Sequence, residues 1–391
     1  MARTILNFLV VLVAILGGFY QLYLRPTLAK FGLGRIVENI GNKDACIAVP
    51  ELSACEKIVL HQPTGLVYLA CSTPQSRIHW TPTMGRLNAT GASRTDYVAT
   101  YDPKTSRITR LNVANFATQS RGLSLHGMDV VPSSSNPNDL LIYLINHRAP
   151  LGNVLASKVG ADSVIELFKT TVGGSTMTHI RTFQDESVII TPNDLVGSPD
   201  GKSFYFTNDH GARVGLKREL EMLGYAATSV GYCHVDEGCK FAIKNMHGNN
   251  GIAQAPNGTF YVANALWGGL TILEPQADKS LVITDYVKTD RGMDNLSVDS
   301  AGHVWAAGFP NALILAFQHF SDPTIPCPSN ALRFSINTGP NVFYGEKYKV
   351  DKVFEDDGTF ALGITSVVHD AERKLLFLDG VTAPSLIVCK L

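Results

Sequence analysis

Two hydropathy patterns divide the chain. From Ile5 to Leu24 the sequence is nearly continuously apolar, broken only by Asn7, Gln21 and glycines. A run of roughly 20 such residues is long enough to span a bilayer as a helix. Arg3 precedes it and Arg25 ends it. No clean small-residue cleavage site is present, which favours an uncleaved signal-anchor over a removed signal peptide or a buried soluble helix. Residues 1–30 are read as this anchor and residues 31–391 as one β-rich domain. No second apolar run follows, so that domain is expected on one side of the membrane, luminal or extracellular, or secreted if the N-terminus is cleaved.

The second pattern is a turn followed by an aromatic, β-branched strand. Pro63-Thr64-Gly65 precedes LVYLAC, Pro199-Asp200-Gly201 precedes KSFYFTND, and Pro256-Asn257-Gly258 precedes TFYVANA. Weaker copies are Ser300-Ala301-Gly302 before HVWAAG, Asp139 before LLIYLINH, and Ala371-Glu372 before RKLLFLDG. Each is a hairpin signal. The spacing of roughly 45 to 75 residues is that of propeller blades, and six copies leave roughly 60 residues per blade. The expected fold is all-β, a six-bladed β-propeller whose inner strands end in a central channel. An irregular pair of β-sandwiches is the alternative. One segment breaks the pattern: Arg213 to Gly224, RVGLKRELEMLG, places Leu216, Leu220 and Leu223 on one helix face. It reads as a short helix over one face of the barrel, either a lid or membrane-facing element or a surface packing helix.

Charge narrows the function. There are 33 Lys+Arg against 34 Asp+Glu, a formal net charge of −1, so no large basic field is available for nucleic acid. Seven cysteines suit an oxidising compartment, and none forms a CxxC pair of the zinc or thioredoxin kind. Cys46 opens the globular region and Cys389 nearly closes the chain, and a closed circular fold is served by joining first to last. Cys233 and Cys239 flank HVDEG and are placed to staple a local loop. The pairing of Cys55, Cys71 and Cys327 stays open. Asn88-Ala-Thr and Asn257-Gly-Thr are glycosylation sequons for such a compartment. Asn295-Leu-Ser fits the same pattern, but its asparagine is given another role.

Polar residues beside the predicted inner strands carry the chemistry. Glu56 stands in ACEKIVL, Asn193-Asp194 in ITPNDLV, Asn250 in HGNNGIA and Asp294-Asn295 in GMDNLSV. Each belongs to a different blade. Converging carboxylate and amide oxygens suit a hard cation, above all Ca²⁺. The EF-hand loop is absent, so such an ion would lie on the propeller axis. His126 in SLHGMDV and His147 in YLINHRA sit in strand-like apolar sequence, either as satisfied histidines or as a proton-handling pair. No G-x-S-x-G elbow and no H-E-x-x-H occurs.

At these residues the chain resembles the serum paraoxonase/arylesterase family, calcium-dependent lactonases and esterases with a six-bladed propeller. The resemblance runs from about Cys46 to the C-terminus. It is carried by CEKIVLHQPTGLVYL, LHGMDVV with YLINH, PNDLVGSPDGKSFYFTNDH, ELEMLG, GNNGIAQAPNG, and MDNLSVD with GFPNA. The stretch Thr207 to His210, TNDH, is among the more specific matches. The resemblance implies that Glu56, Asn193, Asn250, Asp294 and Asn295 hold a catalytic calcium and that His126 and His147 form the family's histidine dyad. It implies that Asp194 and the Met128 carbonyl match ligands of a second, structural calcium, and that Cys46 and Cys389 match the end-to-end disulfide. Two residues depart. Lys57 replaces the aspartate that serves the second ion, and an ammonium beside Asp194 neutralises the same carboxylate. Phe309 replaces a histidine in the GxHPN-type segment and changes the pocket. One catalytic calcium is therefore expected, with Lys57 standing against a second.

The expected activity is calcium-dependent hydrolysis of lactones or aryl esters. The metal would polarise the carbonyl, and His126, assisted by His147, or else Asp294 would take a proton from water. The expected substrate is a small, lipophilic lactone or ester. Gluconolactonase-like propellers use a similar acid and amide set. Two other readings are a biosynthetic propeller acting on a natural-product ring, as in the strictosidine-synthase-like class, and a non-catalytic binding propeller stabilised by calcium. Metal-dependent turnover separates the first reading from the last.

Overall fold

The computed structural model describes residues 2–116, 121–340, 342 and 345–391. Five of the six predicted turns join the first and second strands of a blade, and in the remaining blade the turn is at Ser134–Ser135, with Asp139 inside the strand Asn136–Arg148 opposite Thr171. The first blade runs Cys55–His61, Leu66–Cys71, Tyr97–Asp102, Arg107–Arg110. The second runs Leu125–Ser133, Asn136–Arg148, Asp162–Thr171, Thr176–Phe183, with Asn112–Ala114 added in parallel at its outer edge. The third runs Pro192–Gly197, Ser203–Asn208, Thr228–His234, Gly238–Met246. The fourth runs Asn249–Gln254, Phe260–Asn264, Leu270–Pro275, Leu281–Val287. The fifth runs Met293–Val298, Val304–Gly308, Ser329–Ile336, Tyr348–Asp356. The sixth takes Ser366–Asp370, Leu375–Asp379 and Leu386–Lys390 from the C-terminus and Cys46–Val49 from the N-terminus.

The first strands of successive blades touch in a closed round, blade one meeting blade two and blade six meeting blade one. These inner strands are buried almost throughout, because neighbouring blades cover both faces. The outer strand Leu281–Val287 is mostly exposed. The apolar core is correspondingly divided. Six clusters each fill the space between two consecutive blades, such as Tyr68, Val98 and Leu125 between blades one and two. Stacking of this kind buries a continuous core without free inner edges.

The ring is closed covalently. Cys46 lies opposite Cys389 in the sixth blade, and the two form a disulfide across a sequence separation of 343. Cys233–Cys239 staples the outer hairpin of blade three. Cys55 pairs with Cys71 across the first hairpin, and Cys327 is buried and unpaired among the described residues.

Both helices expected from the sequence stand outside the blades. Ala2–Phe19 continues through a π-helical turn at Tyr20–Leu24 into Arg25–Lys30. The span Arg3–Lys30 is long and apolar enough to cross a membrane. The helix expected from Arg213 is shorter, Leu216–Glu221. Gly215 at φ +92° lies in the region only glycine adopts freely, so the helical turn begins after it. Leu216 and Leu223 face outward rather than onto the barrel, while Glu221 is buried.

Candidate functional site

The polar residues picked out at the strand starts share one backbone device. In five blades the pairing of the first and second strands slips where the inner strand begins. The slips enclose Glu56, His126–Gly127, Asn193–Asp194, Asn250–Gly251 and Asp294–Asn295. Such β-bulges re-aim side chains and recur beside functional sites. Two of the bulges contain glycine because the blades approach closely there. A Cβ on Gly127 would lie 2.4 Å from the Asn193 carbonyl oxygen, and one on Gly251 would lie 2.6 Å from that of Asp294.

The bulges bring the residues together at one end of the channel. Glu56, His126, Asn193, Asn250 and Asp294 line a single cavity of about 330 Å³. Asn295 lies beneath it and donates from Nδ2 to the Glu56 carbonyl oxygen and to Glu56 Oε1, both at 2.9 Å. The other carboxylate oxygen of Glu56 accepts from Thr365 Oγ1 at 2.7 Å. Asn193 Oδ1, Asn250 Oδ1 and Asp294 Oδ1 are buried without a hydrogen-bond partner among the described residues. Buried polar atoms normally find partners, so three such oxygens facing one cavity call for a ligand.

Electrostatics point the same way. Burial raises Asp294 well above the usual carboxylate range, and the neighbouring Glu56 and Asp194 carboxylates add to it. Burial also raises Glu56, against the hydrogen bonds from Thr365 and Asn295. A divalent cation among these oxygens would reverse that balance and hold both carboxylates ionised. The donor set therefore fits a hard cation such as calcium. It relies on amides: among the described residues no three His, Cys, Asp or Glu side chains gather as a metal cluster.

His126 and His147 are brought together, with ring centroids 5.3 Å apart. His126 lines the cavity, its Nε2 lying 3.3 Å from Asn193 Nδ2 and 3.7 Å from Glu56 Oε1. His147 lies behind it. Its Nδ1 shares a 2.8 Å hydrogen bond with Ser163 Oγ, and its carbonyl accepts from Trp80 Nε1 at 2.8 Å. His126 Nδ1 and His147 Nε2 have no partner among the described residues. Burial holds His126 well below the ordinary imidazole value and lowers His147 to about 3, so both rings are neutral near pH 7.

Asp194 has a different setting. Its Oδ2 lies 2.5 Å from Lys57 Nζ and accepts from the Ile252 backbone N–H at 3.0 Å. Lys57 also donates to the Leu296 carbonyl at 3.2 Å. The ammonium and carboxylate thus tie together the inner strands of blades one, three, four and five. Met128 is fully buried on the inner strand of blade two, opposite Leu144.

Three features lay outside the sequence reading. Thr365 immediately precedes the sixth inner strand, where the other blades carry their polar residues, and that position is its one sequence signal. Asp209, in TNDH, lines the cavity, accepts from Asn193 Nδ2 at 3.4 Å, and keeps a buried Oδ1 without a partner among the described residues. A small hairpin, Trp80–Thr81 with Arg86–Leu87, leans over the mouth. Arg218 of the short helix donates to the carbonyls of Pro82, at 2.8 Å, and Thr83. Phe309 lines the apolar side of the cavity with Met84, Met222, Leu266 and Phe320. Asn88 and Asn257 are exposed, whereas Asn295 is buried.

Comparison with known proteins gives the family and the fold. The Arylesterase family matches residues 96–391. Serum paraoxonase/arylesterase 2 of Gallus gallus is 31% identical over 269 residues, covering 68% of this chain and 71% of its own. The Homo sapiens protein of that name is 27% identical over 265 residues, covering 66% and 68%. Among solved structures, a gluconolactonase from Xanthomonas campestris aligns with a TM-score of 0.50 at 13% identity, covering 91% of this chain and 95% of its own, a likeness of fold.

Proposed function

The chain belongs to the arylesterase family of ester hydrolases, and on that premise we propose that it is a calcium-dependent hydrolase of lipophilic lactones and aryl esters. One observation carries the reading. Four side-chain oxygens from three blades, those of Asn193, Asp209, Asn250 and Asp294, are buried without a partner among the described residues, and all four residues line one cavity with Glu56. Glu56, Asn193, Asn250, Asp294 and Asn295 would hold the ion. When bound, calcium supplies a Lewis-acidic pole for the carbonyl oxygen and stabilises negative charge developing there.

The protein's own groups do the rest. Asn295 and Thr365 fix both carboxylate oxygens of Glu56, which limits its rotation. The Asn193 amide beside Nε2 of His126 favours the tautomer with its proton on Nδ1. Nε2 is then the basic nitrogen and faces the cavity floor. A neutral imidazole at that place can accept a proton from water. His147, held by Ser163, packs behind the ring and orients it. Asp294, a carboxylate on the same floor, is the other group able to take that proton. The apolar wall formed by Met84, Met222, Leu266 and Phe309 excludes water and favours a lipophilic acyl or lactone group.

Asp194 and the Met128 carbonyl are not part of this ligand set. Asp194 Oδ2 is committed to Lys57 while Oδ1 has no partner among the described residues, and the buried Lys57 ammonium already supplies the positive charge that a second cation would bring there. The three disulfides and the apolar N-terminal helix suit the secretory pathway. Residues 1–30 would anchor the propeller on the luminal or extracellular side, and Asn88 and Asn257 would be open to glycosylation.

The test is hydrolysis of aliphatic lactones and phenyl acetate by the full chain, with calcium and with chelator. Calcium-dependent turnover is expected. Its absence, beside a calcium-dependent rise in Tm, would make the ion structural and remove the hydrolase assignment. Comparing kcat of His126→Gln with Asp294→Asn distinguishes the two bases.

A further inference from the structure

The apolar N-terminal helix does not end in a free tether. Lys30 Nζ donates to the Trp267 carbonyl at 2.9 Å, and the Phe31 and Trp267 rings lie 6.1 Å apart. Gly32 follows at φ +91°, where a Cβ would lie 2.2 Å from the Pro310 carbonyl oxygen. Only glycine lets the chain lie so close to the loop after Phe309. Arg35 then donates to the Pro310 carbonyl at 3.0 Å and to the Asp290 carbonyl at 2.6 Å. The Glu38 N–H reaches Glu355 Oε1 at 2.9 Å, and Ile40 bridges to Glu355 through the backbone. Residues 30–40 are thus laced across blades four and five at the channel mouth.

This course makes Phe31 part of the lining of the 330 Å³ cavity, whose apolar lining also includes Leu266, Phe309 and Phe317 and whose polar lining includes Glu56, Asn193 and Asp294. We propose that Phe31 is a specificity-determining residue, its ring forming an apolar wall that grips the alkyl or aryl tail of a substrate whose carbonyl lies at those polar groups. The inference rests on the proposed hydrolase reading. It makes the segment between the membrane helix and the propeller part of the substrate site. A wall that touches only the tail stabilises ground state and transition state alike, so its loss appears in KM and not in kcat.

The experiment compares the full chain with Phe31→Ala and Phe31→Leu on lactones of one ring size and increasing tail length. The expected result for Phe31→Ala is a KM raised about tenfold for long-tailed lactones, roughly one ring's worth of apolar contact, with tail-free lactones and kcat unchanged. Phe31→Leu should recover most of the loss. Equal KM changes for every lactone, or none, would overturn the proposal. Calorimetric binding of alkyl γ-lactams, which keep ring and tail but resist hydrolysis, separates the two readings. Tail-dependent lactam binding lost in Phe31→Ala, without lactone turnover by the parent chain, would keep Phe31 in this role and sink the hydrolase reading. Lactam binding unaffected by the substitution would sink the role of Phe31 alone.

Discussion

Lys57 Nζ and Asp194 Oδ2 lie 2.5 Å apart at the waist of the channel, in the part of the molecule where four inner strands meet. Both side chains are almost wholly buried. Removing one partner leaves an uncompensated charge. Lys57→Met is therefore expected to lower stability by about 3–5 kcal/mol, while Lys57→Met with Asp194→Leu recovers most of the loss. Chemical denaturation of both variants checks this. Full stability of the single variant would mean that the ammonium does not hold the waist together.

Glu56 is oriented by Asn295 and Thr365, neither of which needs to touch substrate. Residues that orient a metal ligand change affinity by about 10- to 100-fold when lost. Thr365→Val should raise the Kd for calcium within that range and leave the fold intact by circular dichroism. An unchanged Kd would separate Glu56 from the ion.

Cys46–Cys389 closes nearly the whole domain into a loop, and the loss of such a bond costs about 2–5 kcal/mol. Replacing both cysteines by serine should lower Tm and steepen the loss of activity on warming, with kcat at low temperature unchanged. A kcat lost without a fall in Tm would contradict a purely structural role.

Acid should weaken the fold through Asp299. Its carboxylate accepts from Trp305 Nε1 and lies against His369 Nδ1, both at 2.8 Å. Burial opposes ionisation, but these hydrogen bonds and those from the His303 turn outweigh it and hold the group down at about 2. The folded value lies below the unfolded one. The stabilisation is therefore complete above about pH 4 and is lost as pH falls toward about 2. Allowing for solvent screening, the contribution is about 1–2 kcal/mol. Asp299→Asn should lose it at neutral pH and show a flatter stability profile between pH 4 and 2. An unaltered slope would remove Asp299 from the acid response.

Much of this architecture was legible because it is local. The turns at Gly65, Gly201 and Gly258 need positive φ, and the strands after them need aromatic and branched residues, so five of the six hairpins announce themselves. Glu56, Asn193, Asn250 and Asp294 were visible as polar breaks in buried strands. The bulges that turn them inward were not, since a slip in pairing leaves no mark on composition. Thr365 was missed because a threonine before a strand is ordinary until Glu56, distant in sequence, reaches its hydroxyl. Phe31 falls just past the apolar run, at the first residue of the β-rich domain, and its place in the cavity lining is not legible because hydropathy says nothing of where a chain turns back. The helix after Gly215 was drawn too long because leucine spacing outvoted one glycine.

A single calcium on the propeller axis would make the cavity an active site. The most direct measurement is lactone turnover by the metal-stripped full chain during a calcium titration, with bound ion counted by equilibrium dialysis. The account predicts one ion per chain, activity rising in proportion to its occupancy, and loss of both in Asn250→Ala. Full turnover before any ion binds, or binding of the ion without turnover, would contradict it.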